Sequence, residues 1–367
     1  MKKPLKFIFI VQGEGRGHLT QAIALKTILT QAGHSLACVL VGKSERRIIP
    51  AFFEEKINVP IHGFESPNFV ADAQNRGINI PKSISFNLAK IPVFLQSLKL
   101  VRKIIASHQP DVIVNFYDLL GGTYNLIYKN KNIRFLTIGH QYFLEHSSFT
   151  FPIENKQENK RDRFLLLLSN RLTAFGSSKK LALSFRQEND EPDKKIVVVP
   201  PLLRQEVKTL LVENHGHILI YLNMPGYAEE IISWHQQNTT VPLHCFWDKK
   251  DAEDGWQPHP NLTFHQINDQ KFLEMMRTCN GYMSTAGFES VCEAMYLGKA
   301  VMMGPVEGQF EQACNAVDAL KSGAGIIASS FDVGKFLDYL PKHQDKQADF
   351  RSWLEKAEGL FLKHLED

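Results

Sequence analysis

The strongest constraint on the fold is an alternation, met twice along the chain, of short apolar, β-rich runs with segments whose apolar residues recur at helical spacing. In the first half the runs fall at residues 6–11, 35–41, 111–116, 133–138, 172–175 and 196–199. The first run leads into a helix over 19–32, where Leu25, Leu29 and Ala32 keep helical spacing and Gly33 closes the pattern. The alternation restarts with a strand over 217–222, a turn at 223–226 and a helix from Ala228. It continues through strands at 243–247, 262–264, 281–283 and 300–303. Apolar runs separated by helices belong to parallel sheets covered on both faces. Two such series predict an α/β protein of two doubly wound, Rossmann-like domains. The boundary lies in the polar connection 204–216, giving a first domain over 1–205 and a second over 206–345. Residues 346–367 read as a terminal amphipathic helix, with Phe350, Trp353, Leu354, Ala357, Leu360, Phe361 and His364 on one side. Open parallel sheets bind ligands beyond the carboxyl ends of their strands, so two sheets facing each other make a two-substrate cleft.

Composition narrows the class. A chain of 367 residues has room for two domains. A net charge of +3 is too mild to argue for a nucleic-acid partner. Cys38, Cys245, Cys279, Cys292 and Cys314 contain no CxxC pair, so neither a disulfide framework nor a zinc site reads out of them. Reduced thiols in a cytoplasmic protein are the expectation. The apolar run at 7–11, behind Lys2, Lys3 and Lys6, is too short for a signal-peptide core. No run approaches the ~20 apolar residues of a membrane-spanning helix. The charged stretches 154–163 and 187–195 read as solvated loops or helix ends.

Gly13, Gly15 and Gly17 lie between the first strand and the first helix, with His18 directly after them. Glycines allow close backbone approach, and a helix N-terminus attracts anionic oxygens. A dinucleotide fingerprint would space its glycines as GxGxxG, and an acid would end the second strand. Here the third glycine comes early, and Val41, Gly42 and Lys43 stand where the acid would be. His18 is placed instead beside a bound ligand, with a side chain suited to proton transfer near neutrality.

The segment 284–315 carries the second constellation. A strand ends in Ser284 and Thr285, and a helix begins near Gly287. The hydroxyls of Ser284, Thr285 and Ser290, with the free N–H groups of that first turn, form a seat for a diphosphate. Glu293 follows on the same helix, where its carboxylate can accept from both hydroxyls of a ribose. Glu311 and Gln312 come off the end of the next strand, positioned to bind sugar hydroxyls.

This segment resembles the donor-site signature of glycosyltransferase families 1 and 28, and the loop 13–18 resembles their Gly-rich loop ending in His. The nearest similarity is to a bacterial and archaeal branch carrying GxGxGH and GQFEQ motifs. The resemblance implies a GT-B fold, with the terminal helix crossing back onto the N-terminal, acceptor-binding domain. It implies that Glu293 binds the nucleotide ribose and that Thr285, Gly287 and Ser290 hold the diphosphate. Many relatives carry His where this chain has Thr285. Glu311 and Gln312 would read the donor sugar, and the stretch through Ile267 would present backbone groups to the base, expected to be uracil. His18 would be the general base, with Asp118 as its carboxylate partner. Transfer from the nucleotide sugar to an acceptor hydroxyl would invert the anomeric carbon. No cofactor and no metal are expected, because no DxD motif or acidic cluster appears. Residues 88–105, with Leu88, Ile91, Leu95, Leu98, Arg102 and Ile105 on one side and Lys90, Lys99 and Lys103 nearby, read either as a core-packing helix with a solvated basic face or as a surface that meets an anionic membrane from its inner face. A lipid or cell-envelope precursor as acceptor fits that surface. Two rival readings share the architecture: a nucleotide-sugar hydrolase, and a non-catalytic sugar-nucleotide binding protein.

Overall fold

The computed structural model describes residues 3–44, 48–68, 80–152, 157–222, 224–249, 251–306 and 308–367. Asn223 of the expected turn and residues 154–156 of the expected polar stretch lie outside the described residues. The first sheet contains β1 (Lys6–Gln12), β2 (Ser35–Lys43), β3 (Ile61–Glu65), β4 (Val112–Phe116), β5 (Arg134–Gly139), β6 (Lys180–Leu183) and β7 (Ile196–Val199). Its order is β3-β2-β1-β4-β5-β6-β7, and every pairing is parallel. The second sheet contains β8 (Ile218–Leu222), β9 (Leu243–Trp247), β10 (Trp256–His259), β11 (Leu262–Gln266), β12 (Gly281–Ser284), β13 (Val301–Met303) and β14 (Gly325–Ile327). Its order is β10-β11-β9-β8-β12-β13-β14, with only the β10 edge antiparallel. Central strands such as β1 and β4 are buried along almost their whole length, which explains their unbroken apolar runs.

Several elements differ from the sequence reading. Residues 172–175, expected as a strand, are the last turn of the helix Gln157–Thr173 and the turn after it. Phe164, Leu168 and Leu172 are exposed at four-residue spacing, a helical period hidden by the surrounding leucines. The same helix takes up residues 157–163 of the stretch read as polar loop. The short edge strands β3, β10 and β14 escaped notice because they carry few apolar residues or span only three positions. The terminal helix is two helices, Gln347–Leu354 and Ala357–Glu366, and both contact residues of the first half. Trp353 Nε1 donates to Ser184 O at 3.0 Å, Arg134 donates to Leu365 O at 2.7 Å, and His34 lies 3.1 Å from Glu366.

The stripe expected along 88–105 is divided. Leu98 and Ile105 join Phe94, Val101 and Ile104 in the core beneath the sheet. Leu88, Ile91, Leu95 and Arg102 stay exposed, joined by Ile84, Phe86 and Leu100. Among the described residues no single helix is long and apolar enough to cross a membrane. The pair Lys82–Ala89 and Ile91–His108, bent by 61°, meets that test jointly, but the buried side of its second helix is committed to the core. All five cysteines are buried thiols.

The second domain contains a cluster of three histidines, His217 and His265 buried and His244 half-buried, with a predicted consequence. His244 Nδ1 lies 2.9 Å from His265 Nε2, and the His217 ring packs edge-on against His244. Burial, with His244 adding to it, depresses His217 to about 4. Burial, Lys271 and His244 depress His265 to about 4. Both are therefore neutral in the folded chain at pH values where the unfolded chain, with its ordinary value of 6.5, is protonated. Stability from these groups is full above pH 6.5 and is lost as pH falls toward 4. The urea midpoint is expected to fall between pH 7 and pH 4.5, and His265→Phe is expected to flatten that fall. A midpoint that falls identically in His265→Phe would remove the trio as its source.

Candidate functional site

The carboxyl ends of the two sheets face each other, and four side-chain contacts mark where they meet. Phe288 stacks on His140 with ring centres 4.1 Å apart. Gln21 Nε2 donates to Glu289 at 2.5 Å, Gln141 Nε2 donates to Glu311 at 2.9 Å, and Arg186 donates to Asp318 at 2.5 Å. Each contact joins a residue of the first sheet's domain to a helix of the second.

On the first side, the loop after β1 leads into the helix Gly17–Gln31. None of Gly13, Gly15 and Gly17 has a left-handed φ, so close approach rather than turning accounts for Gly13 and Gly17. A Cβ on Gly13 would stand 2.7 Å from Val41, and one on Gly17 would stand 3.1 Å from Glu289 Cγ across the cleft. Gly15 has open space around it. His18, the second residue of the helix, is 8% exposed, and its ring stacks on Tyr117. Its Nδ1 lies 3.1 Å from Gln21 Oε1. Nε2 makes no protein hydrogen bond among the described residues. Burial lowers the imidazole pKa against the opposing pull of Gln21, so His18 is a neutral ring with one open nitrogen.

The expected His18–Asp118 pair is not formed. Asp118 caps the helix Leu119–Tyr128, accepting from Gly121 N at 2.8 Å, and its other oxygen is packed against Gly42. Burial raises its carboxyl to about 6. Its neighbour Tyr117 holds a left-handed φ of 59°, a costly backbone state that presents its ring to His18. The strand end is thus used for the aromatic ring, and the carboxylate turns away into a capping role.

On the second side, β12 ends in Ser284, followed by buried Thr285 and by Ala286 with a φ of 61°. Asn315 Nδ2 donates to Ala286 O at 3.2 Å and holds this strained turn. Gly287 then starts the helix Phe288–Tyr296 with no side-chain cap, so the first-turn N–H groups remain available. Ser290 Oγ donates back to Gly287 O at 3.2 Å. Glu293 is buried, and its Oε1 accepts from Arg204 Nε at 2.8 Å and Nη2 at 2.7 Å. Its Oε2 has no protein donor among the described residues. Arg204 also donates to Asp269, which lies 3.2 Å from Lys56. Burial opposes the charge on Arg204, but Glu293 and Asp269 outweigh it and raise its pKa.

Gln312 Oε1 accepts from Val306 N at 2.9 Å and shapes the loop after β13, leaving its amide nitrogen for another partner. Glu311 accepts from Gln141, and burial raises its carboxyl. Ile267, half-buried, follows β11 at the carboxyl edge. Burial also raises Glu289, to about 8. Perturbed carboxyls gathered where two domains meet make a candidate functional site.

The structure therefore gathers His18, Glu311 and the start of the helix Phe288–Tyr296 about one cleft and leaves Asp118 out. Sequence reading missed Arg204, Gln21, Glu289 and His140. Gln21, three residues after His18 on one helix, was the one with a readable signal.

Comparison with known proteins shows the family and the fold. The model of glycosyl transferase family 1 matches residues 5–341. A stretch of 133 residues is 31% identical to the UDP-N-acetylglucosamine–N-acetylmuramyl-(pentapeptide) pyrophosphoryl-undecaprenol N-acetylglucosamine transferase of Latilactobacillus sakei, covering 36% of this chain and 34% of that relative. Among solved structures, the glycotransferase of kitacinnamycin matches all of both chains at 15% identity and a TM-score of 0.64. MurG of Acinetobacter baumannii matches 99% of each chain at 15% identity, with a TM-score of 0.59. Arabidopsis thaliana UGT89C1 complexed with UDP-L-rhamnose matches 98% of this chain and 95% of its own at 14% identity, again with a TM-score of 0.59. At these identities the likeness is one of fold, the two-domain GT-B architecture.

Proposed function

The chain belongs to glycosyl transferase family 1, and from that premise we propose that it moves a sugar from a UDP-sugar to an acceptor hydroxyl, inverting the anomeric carbon and using no metal. The observation that carries the reading is the open Nε2 of His18, from one domain, in a cleft with the uncapped helix start at Gly287 from the other. The Latilactobacillus sakei relative and the UGT89C1 complex are named for UDP-sugars, which supports the choice of donor.

In this reading the diphosphate rests on the N–H groups after Gly287, with Thr285 and Ser290 beside it. Glu293 keeps Oε1 on Arg204 and offers Oε2 to the ribose. Ile267 lies near the base, and Glu311 and Gln312 meet the donor sugar. Gly13, Gly15 and Gly17 line the side from which the acceptor approaches. His18 Nε2 takes the acceptor proton as the acceptor oxygen bonds to the anomeric carbon. The bond from that carbon to the diphosphate oxygen breaks, and UDP leaves.

The acceptor is in our reading a lipid-linked or cell-envelope precursor at the inner membrane face. Exposed Ile84, Leu88, Ile91 and Leu95 beside Lys99, Arg102 and Lys103 support contact with anionic lipid. Thermal shift against UDP-, GDP- and dTDP-sugars tests the donor. Saturation with the right one, at ~100 times Kd, is expected to add about 2.7 kcal/mol of stability. Nucleotide release from that donor is expected to rise with a cell lipid extract and to persist in EDTA. No stabilisation by any sugar nucleotide would end the proposal, and release indifferent to every acceptor would favour a hydrolase.

A further inference from the structure

The bridge between His18 and Glu289 has a consequence for catalysis that neither residue has alone. Gln21 is 3% exposed and sits between them. Its amide nitrogen is 2.5 Å from Glu289 Oε1, and its amide oxygen is 3.1 Å from His18 Nδ1. An amide offers donors only at nitrogen and an acceptor only at oxygen. With the nitrogen spent on Glu289, the oxygen must accept from His18, so Nδ1 carries the ring proton. Nε2 then carries the lone pair, and Nε2 is the nitrogen with no protein partner. Ionised Glu289 can only accept at Oε1, and the neutral acid holds the same amide orientation when its proton sits on Oε2. Asp118 Oδ1 accepts from Gly121, and the hydrogen bond at His18 Nδ1 goes to Gln21 rather than to Asp118.

We propose that Glu289 of the donor domain, acting through Gln21, is the positioning residue for His18, fixing the tautomer in which Nε2 is the base. Docking of the donor domain against the Gly loop, where Gly17 leaves room for Glu289 Cγ, thereby completes the base. The base is set when the two halves are together, which ties proton removal to the presence of the half that holds the donor. Glu289 and Gln21 touch no reacting atom in this scheme. The inference rests on the reading of His18 as the base in the Proposed function.

The test uses full-length protein with 15N-labelled histidine, His18 being assigned by difference against His18→Ala. The wild type is expected to show His18 with its proton on Nδ1. Glu289→Leu and Gln21→Met are expected to give a mixture of tautomers and to lower kcat by about 10-fold or more, with little change in donor KM. Glu289→Gln, whose amide oxygen can still accept, is expected to restore the wild-type spectrum and most of kcat. Gln21→Met, within one helix, serves if Glu289→Leu fails to fold. A proton on Nε2 in the wild type overturns the proposal. So does an unchanged His18 spectrum in a folded Glu289→Leu or Gln21→Met variant. The spectrum needs no turnover, so a chain without transferase activity would sink the proposed function while this arm still gave its own answer.

Discussion

His18→Ala is expected to lower sugar transfer by about 100- to 10,000-fold while donor affinity stays within about threefold. The reasoning is geometric before it is electrostatic. His18 contributes one open nitrogen to the cleft, and its other nitrogen and its ring face are held by Gln21 and Tyr117. The groups assigned to the donor, from Thr285 through Gln312, lie on the other domain, and among the described residues none of them is hydrogen-bonded to His18. Loss of the imidazole therefore removes the proton acceptor and leaves the donor seat standing. Burial lowers the His18 pKa below its ordinary 6.5, so the neutral base is already formed at neutral pH. The acid limb of kcat/KM is accordingly expected below pH 6.5 in the wild type and absent from the residual activity of His18→Ala. Initial rates paired with calorimetric donor titration separate the two effects. Turnover that survives in His18→Ala would move the base elsewhere, with His140 the next histidine to test.

Arg204→Met is expected to destabilise the protein by about 3–5 kcal/mol, lowering Tm by on the order of 10 °C. Arg204 is 4% exposed and is ion-paired with both Glu293 and Asp269. Without it Glu293 is a buried carboxylate whose Oε1 has lost both its donors, and Asp269 keeps only Lys56. The cost comes from the stranded charge, so removing the charge as well should recover it. Arg204→Met combined with Glu293→Leu is expected to regain much of the lost stability, because an apolar pair replaces an ionic one at little net cost. Donor binding should stay weak in the double variant, since the carboxylate assigned to the ribose is gone. Urea denaturation of both single variants and the double variant checks this. A Tm within about 2 °C of wild type in Arg204→Met would show that the network carries little of the stability.

Much of this site was legible because it is local. Thr285, Gly287, Ser290 and Glu293 belong to one strand–turn–helix unit, whose spacing alone fixes which groups sit at the helix start and which a turn later. The glycine loop and His18 were legible for the same reason. Asp118 was misassigned because a strand-end carboxylate has two uses that look alike in sequence, ligand partner and helix cap, and here it caps. Residues 172–175 were misread because a leucine-rich helix with an exposed apolar face has no polar stripe to reveal its period.

What the amino-acid sequence determined by itself was the pair of parallel βα series and the identity of the two motifs at their strand ends, since both follow from short-range spacing. Only the tertiary structure decided which residues complete them. Arg204 reaches Glu293 across 89 positions, and Gln21 reaches Glu289 across 268. Such pairings depend on how two rigid sheets dock, and no hydrophobic period or turn residue near either partner records that docking. The carboxyl that orients His18 therefore comes from the opposite domain, a choice set by the packing of Gly17 against Glu289.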